Sequence, residues 1–131
     1  MPVRSLNSAV LEWPDAGTVE SALRSWANDI SLRRADVLLL GYFGSYARGD
    51  AGVGSDLDVI VVVESSDEPF ERRRIGWDTS ALPVAADLLI YTRDEWAALS
   101  ADGRFRRTVE EEAVWLIGSA IRVVPGQIDI S

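Results

Sequence analysis

The sequence predicts a small domain of the α/β (α+β) class, a mixed β-sheet with helices packed against it. Three observations carry this expectation. Apolar runs of strand length, at residues 37–40, 57–63 and 84–91, alternate with stretches of helical periodicity. The run at 57–63 is apolar without alternation, the pattern of a strand covered on both faces. With 131 residues, 47% of them apolar and 26% charged, the chain suits one folded domain over 1–131, its core at about 18–118.

The elements follow in order. Residues 13–17, Trp-Pro-Asp-Ala-Gly, read as a turn. From Thr18, a candidate N-cap, the residues Val19, Ala22, Leu23, Trp26, Ala27 and Ile30 share one helical face. A strand begins at Val37 and ends near Gly41 to Phe43. Residues 45–48 have room for one helical turn before Gly49, Gly52 and Gly54. The second strand is 57–63. Residues 67–77 read as a helix with Pro69 in its first turn. The third strand, 84–91, is interrupted by Asp87. Thr92-Arg93-Asp94-Glu95 forms a capping box that opens a helix to about Leu99. A last helix starts after Gly103, with Phe105, Val109, Ala113 and Leu116 on one face. The tail 121–130 is strand-like or extended.

Composition narrows the chemistry. The chain has no Cys, no His and no Lys, and its 13 basic residues are all Arg. Thiol nucleophiles, histidine bases, Cys/His zinc sites, Schiff bases and the P-loop lysine are all excluded. Carboxylates and hydroxyls remain, which suit Mg²⁺ over softer metals. A net charge of −8 disfavours general nucleic-acid binding, which needs a basic surface. No apolar run approaches the roughly 18 residues of a membrane span, and no signal peptide is visible. The expectation is therefore a cytoplasmic protein.

The polar residues concentrate in one segment. Gly44-Ser45 lies at the end of the first strand, ten residues ahead of Asp56-Leu57-Asp58 at the mouth of the second. Residues two apart on a strand project to one face, so the two carboxylates share it. Taken alone, each feature has a plain reading, a pair of solvated acids and an ordinary capped turn. Together they offer a metal site beside a phosphate turn: free N–H groups at a helix start attract phosphate, and Arg48 lies one turn on. Asp87, inside an apolar strand, is the candidate third carboxylate, because a lone charge there needs a partner. Asp50, Asp78 and Asp94 lie in or near turns and caps. The Arg72-Arg73-Arg74 run reads as a solvated helix face or as a contact for a partner or nucleotide. Trp26, Trp96 and Trp115 fall in helical patterns and read as core.

The segment Gly44-Ser45-Tyr46-Ala47-Arg48-Gly49, with Asp56-x-Asp58 following, resembles the signature of the DNA polymerase beta-like nucleotidyltransferase superfamily, in its minimal nucleotidyltransferase (MNT) branch. The resemblance covers roughly 18–118 and extends to the strand bearing Asp87 and to a last helix at 105–118. It implies that Gly44, Ser45 and Arg48 bind a nucleotide triphosphate. It implies that Asp56, Asp58 and Asp87 are catalytic and hold two Mg²⁺ ions. The implied reaction is transfer of AMP from ATP to a hydroxyl. The implied acceptor is a tyrosine of a HEPN-domain toxin, for which the chain would be the antitoxin. Two alternatives stand beside it: a non-catalytic antitoxin that binds its partner, and a transferase acting on a small hydroxylated molecule. The sequence leaves self-association open.

Overall fold

The strand Leu57–Val63, β-branched from Val59 onward, becomes the structural axis of the domain. The computed structural model describes residues 14–99 and 103–118. Their elements are helix α1 (Ala16–Arg33), strand β1 (Val37–Phe43), the one-turn helix α2 (Ser45–Arg48), strand β2 (Leu57–Val63), the short helix α3 (Phe70–Arg73) with a 3₁₀ turn (Arg74–Gly76), strand β3 (Ala86–Thr92), helices α4 (Arg93–Ala98) and α5 (Arg104–Glu112), and strand β4 (Val114–Ile117). The four strands form one mixed sheet in the order β3-β2-β1-β4. β2 runs parallel to β3, and β1 runs antiparallel to both β2 and β4.

Both faces of β2 are covered from Val59 onward, as the apolar run there predicts. Leu57, Val59, Val61 and Val63 join Val19, Leu23, Trp26 and Ala27 of α1 in one core. Ile60 and Val62 face the other way, toward Trp96 of α4 and Val109 of α5. Each such side chain, moved out of water, contributes about 1.5–3 kcal/mol, so this double burial is the chief force holding three layers together. A bulge between Val37 and Leu39 lets Val37, Leu40 and Tyr42 face α1 while Leu39 faces α4 and α5. Polar ties fix the helices. The Tyr42 hydroxyl donates to Glu20 at 2.9 Å, and the Trp26 indole donates to the Asp78 carbonyl at 2.8 Å. The buried Arg106 guanidinium donates to the carbonyls of Trp96 and Leu99, both at 3.2 Å, and so satisfies the end of α4.

Three expectations change. The N-cap of α1 is Asp15, whose carboxylate accepts from the Thr18 N–H at 2.7 Å, so Ala16 and Gly17 are helical and Thr18 is not the cap. The helix expected over 67–77 shrinks to one turn and a 3₁₀ turn, with Pro69 as the N-cap and no buried residue along it. The last helix stops at Glu112, and Val114 to Ile117 pair with β1 instead. Val, Trp, Leu and Ile in succession favour the pleated conformation once an open strand edge is beside them. Gly41 admits this pairing: a Cβ there would lie 2.7 Å from the Val114 carbonyl and 2.8 Å from the Trp115 ring. Trp115 is therefore a half-buried strand residue rather than a helical one. Trp26 and Trp96 are core. The capping box is present, with Thr92 and Glu95 exchanging side-chain and backbone bonds. The tail 121–130 lies outside the described residues. No helix among the described residues is long and apolar enough to cross a membrane.

Candidate functional site

The strand directions bring the candidate residues to one end of the sheet. β1 is antiparallel to β2, so its last residue, Phe43, lies opposite Asp58 near the start of β2. β3 is parallel to β2, and Asp87 lies beside Asp58 in register. Both acids are on the face that carries Ile60 and Val62 toward α4 and α5. Gly44, Asp58 and Asp87 thus form a row across three neighbouring strands. Asp56 stands just ahead of β2, exposed, and close enough to perturb Asp58.

The turn at Gly44 is shaped for this row. Its φ of 81° and ψ of −151° belong to a region that essentially only glycine occupies. A Cβ at residue 44 would overlap the Asp58 carboxylate, so glycine is required by space as well as by dihedral. The following turn, α2, is closed by the Arg48 N–H donating to the Gly44 carbonyl at 2.9 Å, and Gly49 ends it in the left-handed conformation. Tyr46 is buried and anchors the turn to the core, leaving Ser45 half-buried and Arg48 exposed.

Like charge gathers at Asp58. Burial, then Asp87 and Asp56, push its carboxyl above the usual carboxylate range, with Arg48 opposing them. Two cations already answer part of this charge. Arg74 donates to Asp87 Oδ1 at 3.3 Å. Arg48 donates to Asp50 at 3.3 Å and to Glu112, at the end of α5, at 3.3 Å. Glu112 also accepts from the Gly44 N–H at 3.3 Å. Among the described residues no three acidic side chains converge closely enough to hold an ion by themselves. The donor set is nevertheless the right kind for a hard cation: oxygens only, with unbalanced negative charge on Asp58 and its neighbours.

Sequence reasoning singled out neither Glu112 nor the particular role of Arg74. Glu112 is 68 residues from Gly44, and no motif links them. Arg74 was one of three arginines in a row, and the structure separates their fates. Arg72 pairs with Glu68 on the surface, the Arg73 side chain is covered and paired with Glu95, and Arg74 reaches Asp87.

The fold has solved counterparts. One is a toxin–antitoxin structure with AMP-PNP, at 20% identity and a TM-score of 0.56, with 76% of this chain and 77% of that one covered. Another is a toxin–antitoxin mutant, MntA–HpeT, at 15% identity and a TM-score of 0.51, with 84% and 78% covered. A third is a protein of Sulfolobus solfataricus assigned as a nucleotidyltransferase, at 16% identity and a TM-score of 0.52, with 76% and 80% covered. These similarities concern the fold. Among curated proteins nothing matches. A family profile described as "Nucleotidyltransferase domain" matches residues 25–116, more than half of the chain and inclusive of the whole row from Gly44 to Asp87, and the chain belongs to that family.

Proposed function

We propose that the chain transfers a nucleoside monophosphate, AMP from ATP, to a hydroxyl group, with a tyrosine of a HEPN-type toxin as acceptor, and so acts as an antitoxin. The observation that carries the reading is the in-register pair Asp58–Asp87 beside a glycine whose missing side chain makes room for Asp58. Membership of the nucleotidyltransferase family supports the reaction class, and the toxin–antitoxin neighbours support the setting.

Asp56, Asp58 and Asp87 would hold Mg²⁺, with phosphate oxygens of the nucleotide completing the ligand set. The ions would neutralise the charge that builds on the phosphates during transfer. The chain's own residues position the reactants. The Gly44 N–H, Ser45 and Arg48 hold the triphosphate at the end of β1. Asp87, at the edge of the row, receives the proton of the acceptor hydroxyl. The hydroxyl oxygen forms a bond to the α-phosphorus as the bond from that phosphorus to the bridging oxygen breaks, and pyrophosphate leaves with the electron pair. No covalent enzyme intermediate is required; positioning and charge neutralisation carry the rate.

The test is radiolabel transfer from α-labelled ATP to a co-purified partner, followed by intact-mass analysis for an AMP adduct. Asp56→Asn/Asp58→Asn abolishes labelling. Undiminished labelling sinks the site assignment, and full neutralisation of the partner by the same variant favours the non-catalytic antitoxin. Turnover with a small hydroxylated molecule and no protein partner favours the remaining alternative.

A further inference from the structure

The carboxylate of Glu112 sits on the donors that the proposed function gives to a triphosphate. Its Oε1 accepts from the Gly44 N–H and from Arg48 Nη1, both at 3.3 Å. These lengths lie beyond the usual range for N–H···O bonds, so each contact is weak. The position is also electrostatically odd. Glu110, Glu111 and Glu112 close α5, and its last turn has no basic residue. Acids there face the negative end of the helix dipole and are disfavoured. Glu110 is compensated within the helix by Arg106 at 3.1 Å. Glu112 instead reaches the turn after β1, because the antiparallel pairing of Val114 with Tyr42 brings residue 112 alongside residue 44.

A carboxylate held in an anion-binding turn occupies the place of a phosphate oxygen. We infer that Glu112 is a resident competitor for the triphosphate: a nucleotide binds by displacing it from Gly44 and Arg48, and a polyanion partly neutralised by a divalent cation does so best. The inference rests on the reading of Gly44 and Arg48 as phosphate donors. The preference for a neutralised polyanion follows from charge. Asp58 fills the other side of Gly44, so an uncompensated triphosphate entering the turn meets two carboxylates. Arg48 is half exposed and free to turn from Glu112 toward a stronger anion.

Calorimetric titration of the full chain with tripolyphosphate, with and without Mg²⁺, tests this. Glu112→Gln keeps the size and removes the charge, while Glu112→Asp keeps the charge and shortens the reach. Both variants bind tripolyphosphate with Mg²⁺ about three- to tenfold tighter than the unaltered chain. Only Glu112→Gln narrows the gap between Mg²⁺-containing and Mg²⁺-free affinities. Unchanged or weaker binding by both folded variants, beside measurable binding by the unaltered chain, overturns the competitor role and leaves the phosphate assignment standing. Absence of binding by all three overturns the phosphate assignment and the competitor role together.

Discussion

The carboxylate of Asp58 occupies the volume in which residue 44 would carry a Cβ. The two positions are 14 residues apart in sequence, and a side chain added at 44 would displace Asp58. Gly44→Ala forces an alanine into a φ of 81° and pushes Asp58 out of line with Asp87. The expected outcome is a loss of about 1–3 kcal/mol in chemical denaturation together with loss of AMP transfer. Full transfer activity in Gly44→Ala would remove the steric account of the motif.

Asp58 should also make the metal-free protein less stable than it could be. Folding raises its carboxyl above the ordinary 3.8, through burial first and then Asp87 and Asp56. The folded chain therefore binds this proton more tightly than the unfolded chain. The associated stability is fully present below the unfolded value and is lost as pH rises through the folded one. Asp58→Asn removes that loss. Its melting temperature without metal at pH 7 rises by roughly 2–5 °C, and the gain fades toward pH 3. An equal gain at both pH values would point to a cause other than charge.

On the proposed function, Arg74 would compete with Mg²⁺ for Asp87. The Arg74–Asp87 pair is half exposed on both sides, so Arg74→Ala changes folding stability by less than about 0.5 kcal/mol. The same substitution lowers the Mg²⁺ concentration needed for half-maximal labelling. A rise in that concentration would instead make Arg74 a contact to the nucleotide.

Glu95 works in the opposite pH direction. Hydrogen bonds from Arg73 hold its carboxyl down to about 2, helped by the Thr92 backbone N–H. This contribution is present above the ordinary 4.5 and is lost as pH falls through the folded value. Glu95 is 43% exposed, so solvent screening reduces the pair to about 1 kcal/mol. Glu95→Gln keeps the capping box, since glutamine serves there too. It should be about 1 kcal/mol less stable at pH 7, with the difference closing between pH 4.5 and 2 in acid-unfolding curves. A difference that persists at pH 2 would assign the loss to packing.

Local signals in the sequence were strong where neighbours along the chain decide the outcome. The bounds of β2, the single turn at 45–48 and the capping box at Thr92 all rest on residues within a few positions of one another. The last element reads as helix because Val109, Ala113 and Leu116 satisfy helical spacing, while the open edge of β1, far earlier in the chain, pulls Val114 to Ile117 into the sheet. The start of α1 lies three residues ahead of the one Thr18 suggests, because Asp15 and Thr18 are both good caps and only geometry chooses. In the candidate site, the motif spacing marked Gly44, Asp56 and Asp58, and an acid in an apolar strand marked Asp87. Its exact neighbour, Asp58, depends on a parallel register that sequence does not encode locally. Glu112 and Arg74 enter from the far end of α5 and from the turn after α3, where surface charge carries no signature of its destination.

The order β3-β2-β1-β4 has a consequence for synthesis of the chain. β1 emerges early, yet β4 is the last of the described strands to be made. Until then the ladder groups of Leu40, Gly41 and Tyr42 stand open on one side, flanked by large apolar side chains. Glu112 arrives only with that closing strand. A ribosome-bound chain that has reached β3 already holds Gly44, Asp58 and Asp87 but not the acid that covers the turn. On the proposed reading of Gly44 and Arg48 as phosphate donors, a triphosphate present at that stage would meet a turn that Glu112 does not yet cover.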